Sequence, residues 1–145
     1  MTTETKTKLT TEEVKEILNS SIGTAHYYKP FPALGMIYTD GVKYFAEKCG
    51  AYWLIDLINS HMNTIIKDCK ESEEYIYFLF LEVKDNKAVF KATREVYNGD
   101  QEVLQKVVAS QDIEFTDLPD CSVKLYLQVA EWEPLTLCLL TPSEY

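Results

Sequence analysis

Asp56 and His61, in the run WLIDLINSH, are the residues of this sequence whose types could do acid–base chemistry from within an apolar segment. A carboxylate buried in such surroundings has a raised pKa, which is how a general acid or base is tuned toward neutral pH. With His61 it could serve a site that binds or hydrolyses a small molecule or nucleotide. The spacing works against the pair, because helical neighbours of Asp56 at i+4 and i+7 are Ser60 and Asn63, whereas His61 falls at i+5. The other reading makes Asp56, Ser60 and Asn63 the solvated edge of an otherwise apolar helix, and we adopt it.

His26 is the second histidine and lies in a proline-rich segment. Joining it to His61, or a cysteine to either, needs a tertiary contact that spacing does not supply. The sequence has no G-x-S-x-G, H-E-x-x-H, G-x-G-x-x-G or Walker pattern. Cys49, Cys69, Cys121 and Cys138 contain no C-x-x-C pair, so they signal neither a zinc knuckle nor a redox dithiol. They are expected to be reduced thiols, with Cys49 and Cys138 buried as small hydrophobes. The expectation is a protein that is not an enzyme, with no metal and no cofactor.

The elements that would position these residues begin with a capping box, Thr10 with Glu13, ahead of Val14, Ile17 and Leu18 at helical intervals, which predicts a helix from about Thr11 to Asn19. Residues 1–9 read as a flexible tail and 10–145 as one domain. Gly23, Pro30, Pro32 and Gly35 make 20–37 an ordered loop. Thr39 or Asp40 can cap a second helix with an apolar stripe of Val42, Phe45, Ala46 and Cys49, ended or bent by Gly50. A third helix, from Ala51 to about Lys67, is apolar around most of its circumference.

After KDCKESEE the period changes to that of strands. YIYFLFLEVKDNKAVFKATREV predicts a hairpin about Asp85-Asn86, and Tyr97-Asn98-Gly99-Asp100 is a second turn signal. Val103 to Phe115 returns as a strand, although EVLQKVVAS alone would also suit a helix. SVKLYLQV and PLTLCLLT close the chain. Helices first and strands afterwards predict an α+β fold, N-terminal helices packed on an antiparallel meander of four to five strands. Trp53, Leu54, Leu57, Ile58, Ile76, Phe78, Phe80, Leu125, Leu137 and Leu139 are the expected core.

A formal charge of -9 with a single arginine, Arg94, argues against direct nucleic-acid binding, which depends on clustered Lys and Arg. The N-terminus is polar and charges interrupt every apolar run before membrane-spanning length, so a cytoplasmic protein with no membrane contact is expected. The ten tyrosines suit half-buried core boundaries and binding surfaces alike. Tyr27, Tyr28 and Phe31 are the expected anchors for a partner, because loop side chains are less often needed for packing. Three acidic groups, Glu71 to Glu74, Asp112 to Asp120, and Glu131 with Glu133, could be solvated loops or an acidic face toward a basic groove. Glu71, Glu73, Glu74, Asp117, Asp120, Glu131 and Glu133 are the residues on which that face would rest.

IYTDGVKYFAEKCGAYWLIDLINSH, FTDLPD and the terminal TPSEY resemble domain-of-unknown-function family 6876, an uncharacterised family of bacteria and phages, and the resemblance runs from about Leu18 to the end. It carries no activity and no catalytic residue. It implies a small phage or mobile-element protein that acts by stoichiometric protein binding, such as an anti-CRISPR-like or other counter-defence inhibitor of a bacterial defence complex.

Overall fold

The computed structural model of the chain describes residues 9–20, 26–97, 99 and 103–145; most of the expected tail, and half of the Tyr97 to Asp100 turn, lie outside them. Helix α1 is Thr11–Leu18, opened by the expected capping box. Strands β1 (Tyr27–Tyr28) and β2 (Met36–Thr39) follow, then helices α2 (Asp40–Cys49), α3 (Tyr52–Ser60) and α4 (Met62–Ser72). Strands β3 (Ile76–Lys84), β4 (Lys87–Tyr97), β5 (Val103–Ile113), β6 (Cys121–Trp132) and β7 (Leu135–Leu140) complete the sheet, and a 3-10 turn at Pro142–Glu144 follows β7.

The fold is a mixed α+β one, but the sheet is larger than the expected meander and is not wholly antiparallel. Among the described residues its seven strands run β1-β2-β7-β6-β3-β4-β5, with β2 parallel to β7 through Met36 opposite Leu137 and Tyr38 opposite Leu139. The segment expected as loop supplies β1 and β2. Two short strands among glycines and prolines give little periodicity, and their ladder forms with a strand about a hundred residues further on.

The expected helix from Ala51 to Lys67 is two helices that meet at His61. There the His61 N–H donates to Ile58 O, a tighter step than the α-helical one. The chain then stays helical to Ser72, through what read as a break. The Asp85-Asn86 turn is as predicted: both residues have positive φ, 53° and 63°, the twist a two-residue hairpin requires. Val103–Ile113 is a strand.

The buried core is one cluster from Val14 to Leu139. It shows that β3 is assigned to the wrong face by sequence. Tyr77, Leu79, Leu81 and Val83 face the helices, whereas Ile76, Phe78 and Phe80 are half-buried on the opposite face. Both faces of YIYFLFL are apolar, so alternation there is silent. Glu82 and Lys84, which continue the even positions, carry the parity. Trp53 and Leu57 border the core rather than fill it, and Cys69 is buried where Cys49 is half-buried.

One polar cluster sits under the helices. Asp68 on α4 accepts from Tyr77 Oη at 2.7 Å and from Arg94 Nε at 2.6 Å, with Lys106 Nζ at 3.8 Å. The lone arginine is therefore used inside the fold, where a carboxylate and a fork-shaped cation satisfy each other away from water. Among the described residues no helix is long and apolar enough to cross a membrane.

Candidate functional site

Sheet register sorts the nominated residues between two ends of the molecule. α4 delivers the chain into β3, β4 ends opposite the start of β5 at Tyr97 and Val103, and β6 ends opposite the start of β7 at Trp132 and Leu135. All these junctions lie at one end of the sheet. So does the loop before β2, because β2 runs parallel to β7. The Asp85-Asn86 turn, the β5–β6 loop, the start of α2 and the chain's last residues lie at the other.

The first end gathers Glu71, Glu73 and Glu74 from the close of α4, and Glu131 and Glu133 from the β6–β7 turn. Two of the three acidic groups thus converge, and aromatic residues stand among them. Tyr75 is 60% exposed, Trp132 41% and Tyr97 64%. The Tyr75 and Trp132 rings meet edge to face, with centroids 5.6 Å apart. Their placement follows from the ladder: Val129 N–H donates to Tyr75 O, and an irregularity between Val129 and Glu131 turns the end of β6 before Trp132 pairs with Leu135. Tyr97 Oη donates to Glu95 Oε1 at 3.3 Å, and the carboxylates of Glu95 and then Glu74 raise its pKa by disfavouring a phenolate.

The sequence reading passes over these exposed aromatics because it ranks loop aromatics above those at strand ends. A signal was present: each is flanked by glutamate, in Glu74-Tyr75, Glu95-Val96-Tyr97 and Glu131-Trp132-Glu133. Phe31, in the loop at this same end, is 94% exposed. An edge-to-face pair with one ring half out of solvent, surrounded by carboxylates, can bury flat apolar area against a partner while pairing with its Lys and Arg, whose cations also favour aromatic faces.

The remaining nominees lie elsewhere. Asp117 and Asp120 are in the β5–β6 loop at the opposite end, where Asp120 Oδ1 accepts from Asp85 N–H at 2.9 Å and its carbonyl accepts from the Thr11 hydroxyl. Asp120 pins a turn. Tyr27 and Tyr28 pair with Thr39 and Tyr38 at that end too. Tyr27 is exposed, but Tyr28 is half-buried, donating to Asp40 Oδ1 at 2.8 Å with its ring 5.6 Å from Tyr38 and under Lys43. Tyr28 plugs the fold.

Asp56 and His61 face different flanks. Asp56 is exposed on α3 and close enough to Tyr38, on β2, to add to the rise that burial causes in that phenol's pKa. His61 stacks on Phe90 of β4 at 5.7 Å, and its Nε2 lies 2.8 Å from Gln111 Oε1 of β5. Four strands separate β2 from β5 in the sheet. Burial pushes the thiols of Cys49, Cys121 and Cys138 up to about 11, which suits packing rather than nucleophilic attack. Among the described residues no three His, Cys, Asp or Glu side chains are grouped to hold a metal ion.

A family described as of unknown function, DUF6876, matches residues 12–145. Neither the curated proteins nor the solved structures give a match.

Proposed function

We propose that this chain, which belongs to the family of unknown function DUF6876, works by stoichiometric binding to another protein through the acidic and aromatic end of its sheet. The observation that carries the reading is the Tyr75–Trp132 pair standing among Glu71, Glu73, Glu74, Glu131 and Glu133. Aromatic anchors supply the affinity of most protein interfaces, and surrounding carboxylates select a basic partner and speed its approach. The partner's surface is therefore a groove rich in Lys and Arg, of the kind that holds nucleic acid, and the protein occupies it as an inhibitor. A bacterial defence complex is the target class this chemistry and the sequence resemblance nominate first.

The test is affinity purification of the tagged chain from bacterial hosts, followed by titration of the purified partner against variants. Trp132→Ala should weaken binding by about 2 kcal/mol, roughly thirtyfold. Replacing Glu131 and Glu133 by Gln should weaken it and flatten its salt dependence, because exposed charges act over a Debye length of about 8 Å at physiological ionic strength. Tyr28→Ala should change affinity only as far as it changes the fold. A partner that binds all these variants as it binds the parent chain would overturn the assignment of the surface.

A further inference from the structure

Among the described residues the four helices pack on one face of the sheet, and the other face carries a band of half-buried aromatics, Phe78, Phe80 and Tyr126. Tyr145, from the chain's last residues, stacks on Tyr126 with centroids 4.2 Å apart, and Phe78 meets Tyr126 edge to face. The ammonium of Lys124 lies 5.1–5.8 Å from the ring centroids of Tyr126, Phe78 and Phe80.

Residues directly opposite in a ladder share a face, so the register lays this surface out in rows across the strands. One row is Ser110, Lys91, Phe80 and Lys124; the next is Asp112, Val89, Glu82 and Ser122. The first is basic and the second acidic, about 7 Å further along the strands. In a chain of net charge -9, most of the surface repels a second copy. This face does not, since it sets Lys91 and Lys124 beside Glu82 and Asp112 and carries Lys84 and Lys87 in the row beyond them. A two-fold axis lying across the strands between the rows places the basic row of each copy against the acidic row of the other, the self-complementarity a closed dimer requires. The same axis lays Phe78 of each copy against the row of Lys84 and Lys87 in the other, so aromatic faces meet lysine stems and ammonium groups in the sheet-on-sheet contact. A polyanion such as single-stranded nucleic acid fits less well, because Glu82 and Asp112 interrupt its path.

We propose that the face of the sheet opposite the described helices is a self-association surface whose partner is a second copy of this chain, held by the aromatic band and by reciprocal pairing of the two charged rows. This surface is distinct from the acidic end described above.

Sedimentation equilibrium of the full chain across the micromolar range should show the mass rising from one chain toward two. Reversing Lys91 and Lys124 to Glu should weaken self-association by about tenfold or more, with the circular dichroism spectrum unchanged. A second variant, Glu82→Lys with Asp112→Lys, should also be monomeric alone, and mixing the two should restore a dimer. A parent chain that stays monomeric throughout would overturn the proposal, and a monomer that retains an oligothymidine would give the face to nucleic acid instead. Self-association that survives both charge reversals would place the interface elsewhere and equally refute it.

Discussion

Replacing Gly41 by Ala should destabilise this protein, yet stabilise it once Glu144 has been shortened to Ala. The Glu144 carboxylate lies over the first turn of α2. Its Oε2 accepts from Gly41 N–H at 3.0 Å, and its Oε1 accepts from the Thr39 hydroxyl at 2.6 Å and from the N–H and hydroxyl of Thr141 at 3.0 Å each. Thr39 and Thr141 are 2% and 0% exposed, so their hydroxyls have little access to water. A hydrogen bond to a charged group contributes about 1.5–3 kcal/mol. Two of these bonds reach across the fold to the α2 turn, and partial hydration regained by a half-buried carboxylate offsets some of their value, so Glu144→Ala should cost about 2–4 kcal/mol. At about 2 kcal/mol per molar urea, the denaturation midpoint falls by about 1–2 M.

A Cβ on Gly41 would sit 2.5 Å from Glu144 Cδ and Oε1 and 2.7 Å from Oε2. The carboxylate must leave, and Gly41→Ala forfeits the same bonds. Gly41 is helical, however, and Ala in place of Gly within a helix is favourable by about 0.5–1 kcal/mol when space allows. In the Glu144→Ala background the three colliding atoms are gone, so the substitution should raise stability by that amount. The double-mutant cycle should give a coupling of about 2 kcal/mol or more. Equal destabilisation by Gly41→Ala in both backgrounds would refute the latch.

Leu79→Ala should cost about 2–5 kcal/mol in urea unfolding, and Phe80→Ala much less, because the helices cover only the odd positions of β3; comparable losses would return β3 to the face first expected. For Asp68, burial alone would raise the carboxyl's pKa, but the Arg94 and Tyr77 hydrogen bonds outweigh it and hold the value below the usual range. A carboxylate with a depressed folded pKa adds stability above its unfolded pKa and loses it as pH falls through the folded one, so Asp68→Asn should flatten the acid limb of a stability–pH profile. Arg94→Met should cost about 1.5–3 kcal/mol at neutral pH, because Asp68 loses its charged hydrogen-bond donor and keeps only Tyr77 and the more distant Lys106; a neutral outcome would show that the pair is hydrated.

Local rules decided much by themselves. Thr10 with Glu13, Thr39 before α2, and Asp85-Asn86 between two apolar runs each act within a few residues, through a side chain reaching the nearest backbone donors or a turn demanding positive φ. The net charge and the absence of catalytic patterns were likewise legible without a fold. The face of β3 was legible only at its far end, in Glu82 and Lys84, because Tyr75 to Leu81 is apolar at every position. The place of β2 beside β7 could not be read, since a parallel ladder closes between segments with no local signal for each other. The grouping of Glu71, Glu73 and Glu74 with Tyr75, Trp132, Glu131 and Glu133, and the exile of Asp117 and Asp120 to the far end, are products of strand order. Proximity between residues far apart in a chain is set by which hydrophobic faces can be buried together, and that is a property of the whole core.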